Sequence, residues 1–203
     1  MFSYIMTVME PSPVSLVLII GRPGSGKGTQ TDLLAKKLGW KTFSSGAIFR
    51  ELRVKPGPLG DKVRAVYDEG LLHPYWFPAY LFQNVILNTE PSEGLITEGL
   101  CRALKEAELF DDVLTWLGRR YVVINLAVSD EEAARRQSHR NKTDERADSN
   151  TSEKIQVRLN EYKENTEPVI DFFRTKGTLV EINGEQTPDE IAVELYAKLK
   201  DLI

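Results

Sequence analysis

The ten residues GRPGSGKGTQ at positions 21–30 bring together the residue types that hold phosphate. Gly24, Gly26 and Gly28 free the backbone to turn its N–H groups inward, around Ser25. Lys27 reaches toward the outer phosphates, and a helix beginning there adds its positive N-terminal end. Such loops ordinarily place Ser or Thr directly after the lysine, to meet a magnesium ion. Here Gly28 intervenes and the hydroxyl arrives one place late, at Thr29.

Positive charge recurs further along. Arg136 and Arg140 are four apart and share a helix face. Arg146 sits in the polar stretch QSHRNKTDERADSN (137–150). Arg158 lies three after Ile155 and beside Leu159, on the apolar side of its helix, where a guanidinium needs an anion, either an internal carboxylate or a bound ligand. Arg119 and Arg135 read as solvated surface charges, and His73 and His139 as ordinary loop residues. Glu98 ends an apolar run; it either caps a helix or orients magnesium through water. Cys101 reads as a packed, inert thiol.

The elements that position these groups show as apolar runs at 15–20, 41–44, 94–98, 121–128 and 178–182, alternating with helical patterns. That alternation predicts a parallel sheet covered by helices. Leu33, Leu34 and Leu38 stripe a helix starting at the phosphate loop. Ala107, Phe110, Val113, Leu114 and Leu117 stripe 104–118, and Ile191, Leu195, Leu199 and Ile203 stripe the last helix. Residues 45–73 and 137–150 interrupt the rhythm. The second interruption ends at a helix start, with Asn150 as cap and Glu153 completing a capping box. In 73–82, HPYWFPAYLF, the aromatic residues fit a packed helix and loop better than a base-stacking platform.

The chain has 203 residues, 41% hydrophobic and 28% charged, enough for one sizeable α/β core. A net charge of −4 argues against a general grip on nucleic acid or anionic membrane. One cysteine excludes an internal disulfide and a multi-cysteine zinc site, and fits a reducing, cytoplasmic setting. Residues 1–14 read as a flexible tail without the basic region of a signal peptide, leaving 15–203 as one domain.

Read as a word, GRPGSGKGTQ resembles the adenylate kinase family, whose loop runs G-x-P-G-x-G-K-G-T-Q. SSGAIFR (44–50) resembles the family's S-T-G-D-x-L-R, and EGLCRALKEA (98–107) its D-G-F-P-R-x-x-x-Q-A. RRQSHRNKTDERADSN (135–150) followed by VRLNEYKENTEPVIDFF (157–173) resembles the short-lid form of the remaining motifs. The likeness covers nearly the whole chain after residue 14.

The resemblance implies a three-layer α/β/α P-loop NTPase fold with a five-stranded parallel sheet and two mobile insertions, an NMP-binding region near 45–73 and a lid near 137–150. It implies transfer of the terminal phosphoryl group of ATP to a nucleoside monophosphate, with AMP as the leading acceptor. Another acceptor such as GMP, or a degenerate P-loop nucleotide-binding or NTPase module, are the alternatives. Lys27, Arg102, Arg140, Arg146 and Arg158 would be catalytic. Gly24–Thr29, Arg136 and Arg140 would bind ATP. Ser45, Arg50, Leu71, Leu72, His73, Gly99, Arg102, Glu106, Arg146 and Arg158 would bind the acceptor. Thr29, and Glu98 through water, would serve magnesium, with no zinc; the protein would act as a cytoplasmic monomer without nucleic-acid or membrane partners.

Several positions depart from that pattern: Ser45 stands for Thr, Ala47 for Asp, Glu98 for Asp, Cys101 for Pro, Glu106 for Gln and Ser149 for Asp. Glutamine can both donate to and accept from adenine, whereas an ionised Glu106 only accepts and would suit guanine's two donors. If Glu106 instead turned outward, backbone groups near Leu72 would read the base.

Overall fold

The computed structural model describes residues 13–142, 144 and 146–203. Residues 1–12 of the predicted 1–14 tail, and Thr143 and Glu145 of the predicted lid, lie outside the described residues. Val14, at the end of that tail, is instead packed in the core at 4% exposure, its N–H donating to the Leu202 carbonyl at 2.8 Å.

Five strands form one sheet: β1 (Leu16–Gly21), β2 (Lys41–Ser44), β3 (Leu95–Glu98), β4 (Tyr121–Ala127) and β5 (Leu179–Asn183). Each lies within one residue of an apolar run in the sequence. Their order is β2-β3-β1-β4-β5 and every pairing is parallel. Between them run α1 (Lys27–Leu38), α2 (Ser45–Val54), α3 (Pro58–Tyr67), α4 (Trp76–Ile86), α5 (Leu104–Trp116), α6 (Asp130–Arg140), α7 (Ser152–Glu161), α8 (Glu167–Thr175) and α9 (Pro188–Leu199). A π-helical turn, Tyr162–Thr166, joins α7 to α8.

Strand β1 is apolar throughout because both its faces are covered. Leu16, Leu18 and Ile20 meet Phe82 and Ile86 of α4, Phe110 and Leu114 of α5, and Phe173 of α8. Val17 and Ile19 meet Leu34 of α1 and Ile191, Leu195 and Leu199 of α9. Helices therefore sandwich the sheet as three layers. From β1 the chain goes first to one side of the sheet and later to the other. That reversal opens a crevice at the carboxyl ends of the central strands.

Both interruptions of the βα rhythm stand at that end. Residues 45–73 build α2 and α3 around a small core of Phe49, Val63 and Tyr67. The second interruption is shorter than predicted, since Gln137 to Arg140 finish α6 and His139 is helical rather than in a loop. Helix α7 is capped by Thr151, whose hydroxyl accepts from the Lys154 N–H at 3.3 Å, so the cap falls one residue after the expected Asn150. Helix α4 buries Phe82 but leaves Trp76 and Tyr80 exposed, so its aromatic segment is only partly packed.

Arg119 is not a surface charge. It is 7% exposed and donates to the carbonyls of Thr89 (3.0 Å) and Glu93 (2.8 Å) and to the Ser15 hydroxyl (3.3 Å). The guanidinium thus ties the loop before β3 to the residue that leads into β1. Arg119→Met keeps much of the volume but strands those carbonyls. It is expected to lower unfolding free energy by about 2–4 kcal/mol in a denaturant titration. A loss below ~0.5 kcal/mol would show that the tie does not matter.

Candidate active site

The loop leaving β1 owes its shape to glycine. Gly24 has φ +90°, and a Cβ there would stand 2.7 Å from the Ala133 carbonyl oxygen. Gly26, at φ +97°, starts α1 with no side-chain cap, so the first amides of that helix remain available to an anion. Lys27 folds back over the loop, its Nζ donating to the carbonyls of Gly21 and Arg22, each at 2.8 Å. Burial of this ammonium pulls its pKa down to about 7; Glu98 opposes the shift, while Arg102, Arg158 and Arg140 add to it by repulsion.

Lys27 opens onto a cleft of about 980 Å³ that gathers residues from most of the chain. Gly24, Ser25, Gly26, Gly28 and Thr29 line it beside Lys27. Arg136 and Arg140 from α6, Arg146, Arg158 from α7, Arg102 after β3 and Arg50 from α2 also line it. Arg136 is held by Glu132 at 2.6 Å and approaches the Ser25 carbonyl at 3.4 Å. Arg140 donates to the Ser149 hydroxyl at 3.2 Å. Arg146 pairs with Asp144 at 2.9 Å. Arg135 also reaches the cleft wall, but it is largely exposed and paired with Glu132.

Arg158 answers the question raised by its apolar position. Its Nη1 stands 2.9 Å from Asp148, with side-chain exposures of only 11% and 9%. The contact is ionic but poorly aligned, because Nη1 finds no hydrogen-bond acceptor of acceptable angle. Burial lowers the Arg158 pKa to about 10 against the pull of Asp148, with Arg102 and Arg140 lowering it further. Arg158 lines the arginine-rich cleft beside this carboxylate, and a guanidinium so placed suits a phosphate oxygen.

The oxygen donors are few. Glu98 ends β3 on the cleft wall, with one carboxylate oxygen bonded to the Ser44 hydroxyl, and Thr29 lies exposed at the start of α1. Among the described residues no cluster of three His, Cys, Asp or Glu could hold a metal alone. Thr29 and Glu98 are hard oxygen ligands that suit magnesium, provided substrate phosphates complete its shell.

Beyond Arg50, the cleft wall is formed by Leu71, Leu72, His73, Phe49 and Gly99. The His73 ring packs on Phe49 at 4.0 Å between centroids. Burial, and then the charge of Arg102, lower its pKa to about 4, so it is neutral near pH 7. Its side chain thus belongs to the wall, more than an ordinary loop residue would.

Two predicted acceptor contacts do not line the cleft. Ser45 is buried and donates its hydroxyl to the Gly99 carbonyl at 2.6 Å, joining α2 to the end of β3. Glu106 is 4% exposed, and its carboxylate accepts from the amides of Cys101 (2.7 Å) and Arg102 (3.1 Å). It neither turns outward nor stands in the cleft wall. Burial raises its pKa to about 7 despite those two bonds and the nearby Arg102.

Sequence reasoning missed Asp148 and Arg22. Asp148 sits two after Arg146 in a motif that was quoted, but no pattern names its partner ten residues on. Arg22 bridges Asp130 (2.8 Å) and Glu167 (2.9 Å) and lies over the Tyr162 ring, bracing the phosphate loop from outside.

Comparison with known proteins agrees with this architecture. A family model described as adenylate kinase matches residues 19–178. The adenylate kinase of Thermus thermophilus is 36% identical over 184 residues, covering 90% of this chain and 96% of that protein. That of Thermobifida fusca is 35% identical over 185 residues, covering 91% and 97%. Adenylate kinase isoenzyme 1 of Caenorhabditis elegans is 32% identical over 194 residues, covering 94% and 90%.

The contrast between the two acid–arginine contacts of this loop is testable. Asp148→Asn leaves Arg158 buried beside a neutral group and is expected to cost about 3 kcal/mol in unfolding free energy. Asp144→Asn, at the exposed pair with Arg146, is expected to cost less than ~1 kcal/mol. Equal losses in urea titration would refute the burial argument.

Proposed function

This chain belongs to the adenylate kinase family, and on that premise we propose that it transfers the terminal phosphoryl group of ATP to a nucleoside monophosphate, with AMP as acceptor. The observation that carries the reading is the convergence of Lys27, Arg102, Arg140 and Arg158 on one cleft, close enough that the arginines add to the burial that lowers the Lys27 pKa. Such mutual repulsion is relieved by a ligand with several negative charges.

The proposed chemistry needs no general base. An acceptor phosphate oxygen is already anionic, so the protein must align two phosphates and spread the charge of the transferring group. In this reading Lys27 and the open amides of α1 hold the outer phosphates of ATP, aided by Arg136 and Arg140. Arg50 and Arg102 hold the acceptor's phosphate, and Arg146 and Arg158 bridge the two. Magnesium would neutralise phosphate charge when bound, held on the protein side by Thr29 and, through water, Glu98. The wall around Leu72, His73 and Phe49 is the proposed seat of the acceptor base. Residues near 45–73 and the arginine-bearing loop after α6 are the proposed closing parts, since an exposed triphosphate would react with water. Action as a cytoplasmic monomer belongs to the same proposal; among the described residues no helix is long and apolar enough to cross a membrane.

A coupled assay with ATP against AMP, GMP, CMP and UMP tests the assignment. AMP is expected to give the highest kcat/KM, and no transfer to any acceptor would overturn it.

The lowered Lys27 pKa supplies a second test. In the free protein Lys27 is mostly neutral at pH 8, since its pKa is about 7. Bound triphosphate raises that value toward the ordinary 10.5, so ATP binding at pH 8 takes up close to one proton. Affinity is therefore flat below pH 7 and falls as pH rises through the window above it. Calorimetry in buffers of different ionisation enthalpy reads the uptake. Lys27→Met should abolish the uptake and lower kcat at least ~10²-fold. Unchanged turnover in this variant is the outcome that rejects the mechanism.

A further inference from the structure

Glu106 closes the first turn of α5, whose cap residue, Ala103, makes no side-chain cap hydrogen bond. Its carboxylate reaches back past the cap, one oxygen accepting from the Cys101 N–H at 2.7 Å and the other from the Arg102 N–H at 3.1 Å. The turn so held is under strain: Cys101, at φ +55°, is the one non-glycine residue in the left-handed region among the described residues. On the other side, the Arg102 carbonyl accepts from the Thr166 hydroxyl at 2.9 Å. The backbone of Arg102 is thereby gripped at both its N–H and its C=O, while its side chain faces the cleft.

The surroundings of Glu106 point the same way. It lines a small separate cavity with Ala79, Phe82, Leu109 and Phe110, an apolar setting with no room for a purine edge. With each oxygen bonded to a backbone amide and the side chain lining this cavity, the carboxylate is not turned toward the cleft where a base would sit. We infer that Glu106 is a positioning residue for phosphoryl transfer: it clamps the Cys101–Arg102 turn and so aims Arg102 at the acceptor phosphate, without reading the base. The residue type fits that task, because two converging N–H donors need two acceptor oxygens. A glutamine would set its own NH₂ against one of them.

The inference rests on Arg102 serving the acceptor, and the experiment separates the two claims. Wild-type transfer from ATP to AMP is read first; its absence removes the proposed function, while AMP affinity by calorimetry still tests the clamp. Glu106→Gln is expected to raise KM, and Kd, for AMP and GMP by the same factor, about 10-fold. KM for ATP should stay unchanged. In an Arg102→Ala background the same substitution should add nothing, since the clamp acts only through that side chain. A general loss of packing would instead move all substrates together and persist in the double variant. A changed AMP-to-GMP ratio would show base reading and overturn the inference, as would additive effects in the cycle. Thr166→Val, which leaves Glu106 in place, guards against a variant that fails to fold. It removes the bond on the carbonyl side, so it must also raise acceptor KM, again only when Arg102 is present; no such rise overturns the clamp.

Discussion

Mutual repulsion among cations is the constraint on which this structure is organised. Lys27, Arg102, Arg140 and Arg158 are drawn into one cleft, where the three arginines add to the burial that disfavours the charge on Lys27, against the pull of Glu98. No fold gathers such groups without cost, so each is restrained in its own way. Lys27 is cradled by two carbonyls, Arg140 donates to the Ser149 hydroxyl, Arg158 stands against Asp148, and the backbone of Arg102 is held by Glu106 and Thr166. Parallel pairing of the adjacent strands β1 and β3 puts their carboxyl ends on one rim, and the reversal of strand order there opens the crevice that makes the arrangement feasible. Side chains from distant parts of the sequence can then converge there without long loops.

The phosphate loop also depends on contacts outside itself. Its backbone is bent by glycines, which supply no packing of their own. Arg22 compensates by spanning Asp130 at the start of α6 and Glu167 at the start of α8. Lys163 reaches Asp130 as well, so one carboxylate joins the loop, α6 and the π-helical turn. This brace links the glycine-rich loop after β1 to the helix that carries Arg136 and Arg140. Their relative placement is therefore set by side chains that need not touch any substrate.

How legible this was depended on where each residue's partner lay. The central strands β1 and β4 could be read because both sheet faces are covered there and their runs are almost wholly apolar, while the edge strands β2 and β5 were legible from the rhythm of alternation. The phosphate loop was legible because its glycines, lysine and threonine form one dense local word. Arg119 misled because its acceptors are backbone carbonyls some thirty residues away, which leave no mark on side-chain pattern. Thr151 displaced Asn150 as cap because two competent capping residues are adjacent, and only the backbone direction chooses between them. Glu106 was placed by its spacing from Arg102, yet its carboxylate is claimed by amides of a turn whose left-handed residue is a cysteine, not a glycine. Asp148 went unread because counter-charges pair in space.

Ser44 shows how the acceptor side is tied to this charge cluster. It ends β2 opposite Glu98 of β3, and its hydroxyl donates to that carboxylate. The same oxygen accepts the Ala47 N–H at 3.2 Å and so starts α2. The next residue, Ser45, adds a second bond, to the Gly99 carbonyl. The origin of α2 is thus fixed to the end of β3 by two neighbouring hydroxyls, whereas α2 and α3 pack mainly on their own small core beyond it. One serine hydroxyl thus touches both the carboxylate of Glu98 and the start of the helix that carries Arg50, two side chains that line the same cleft.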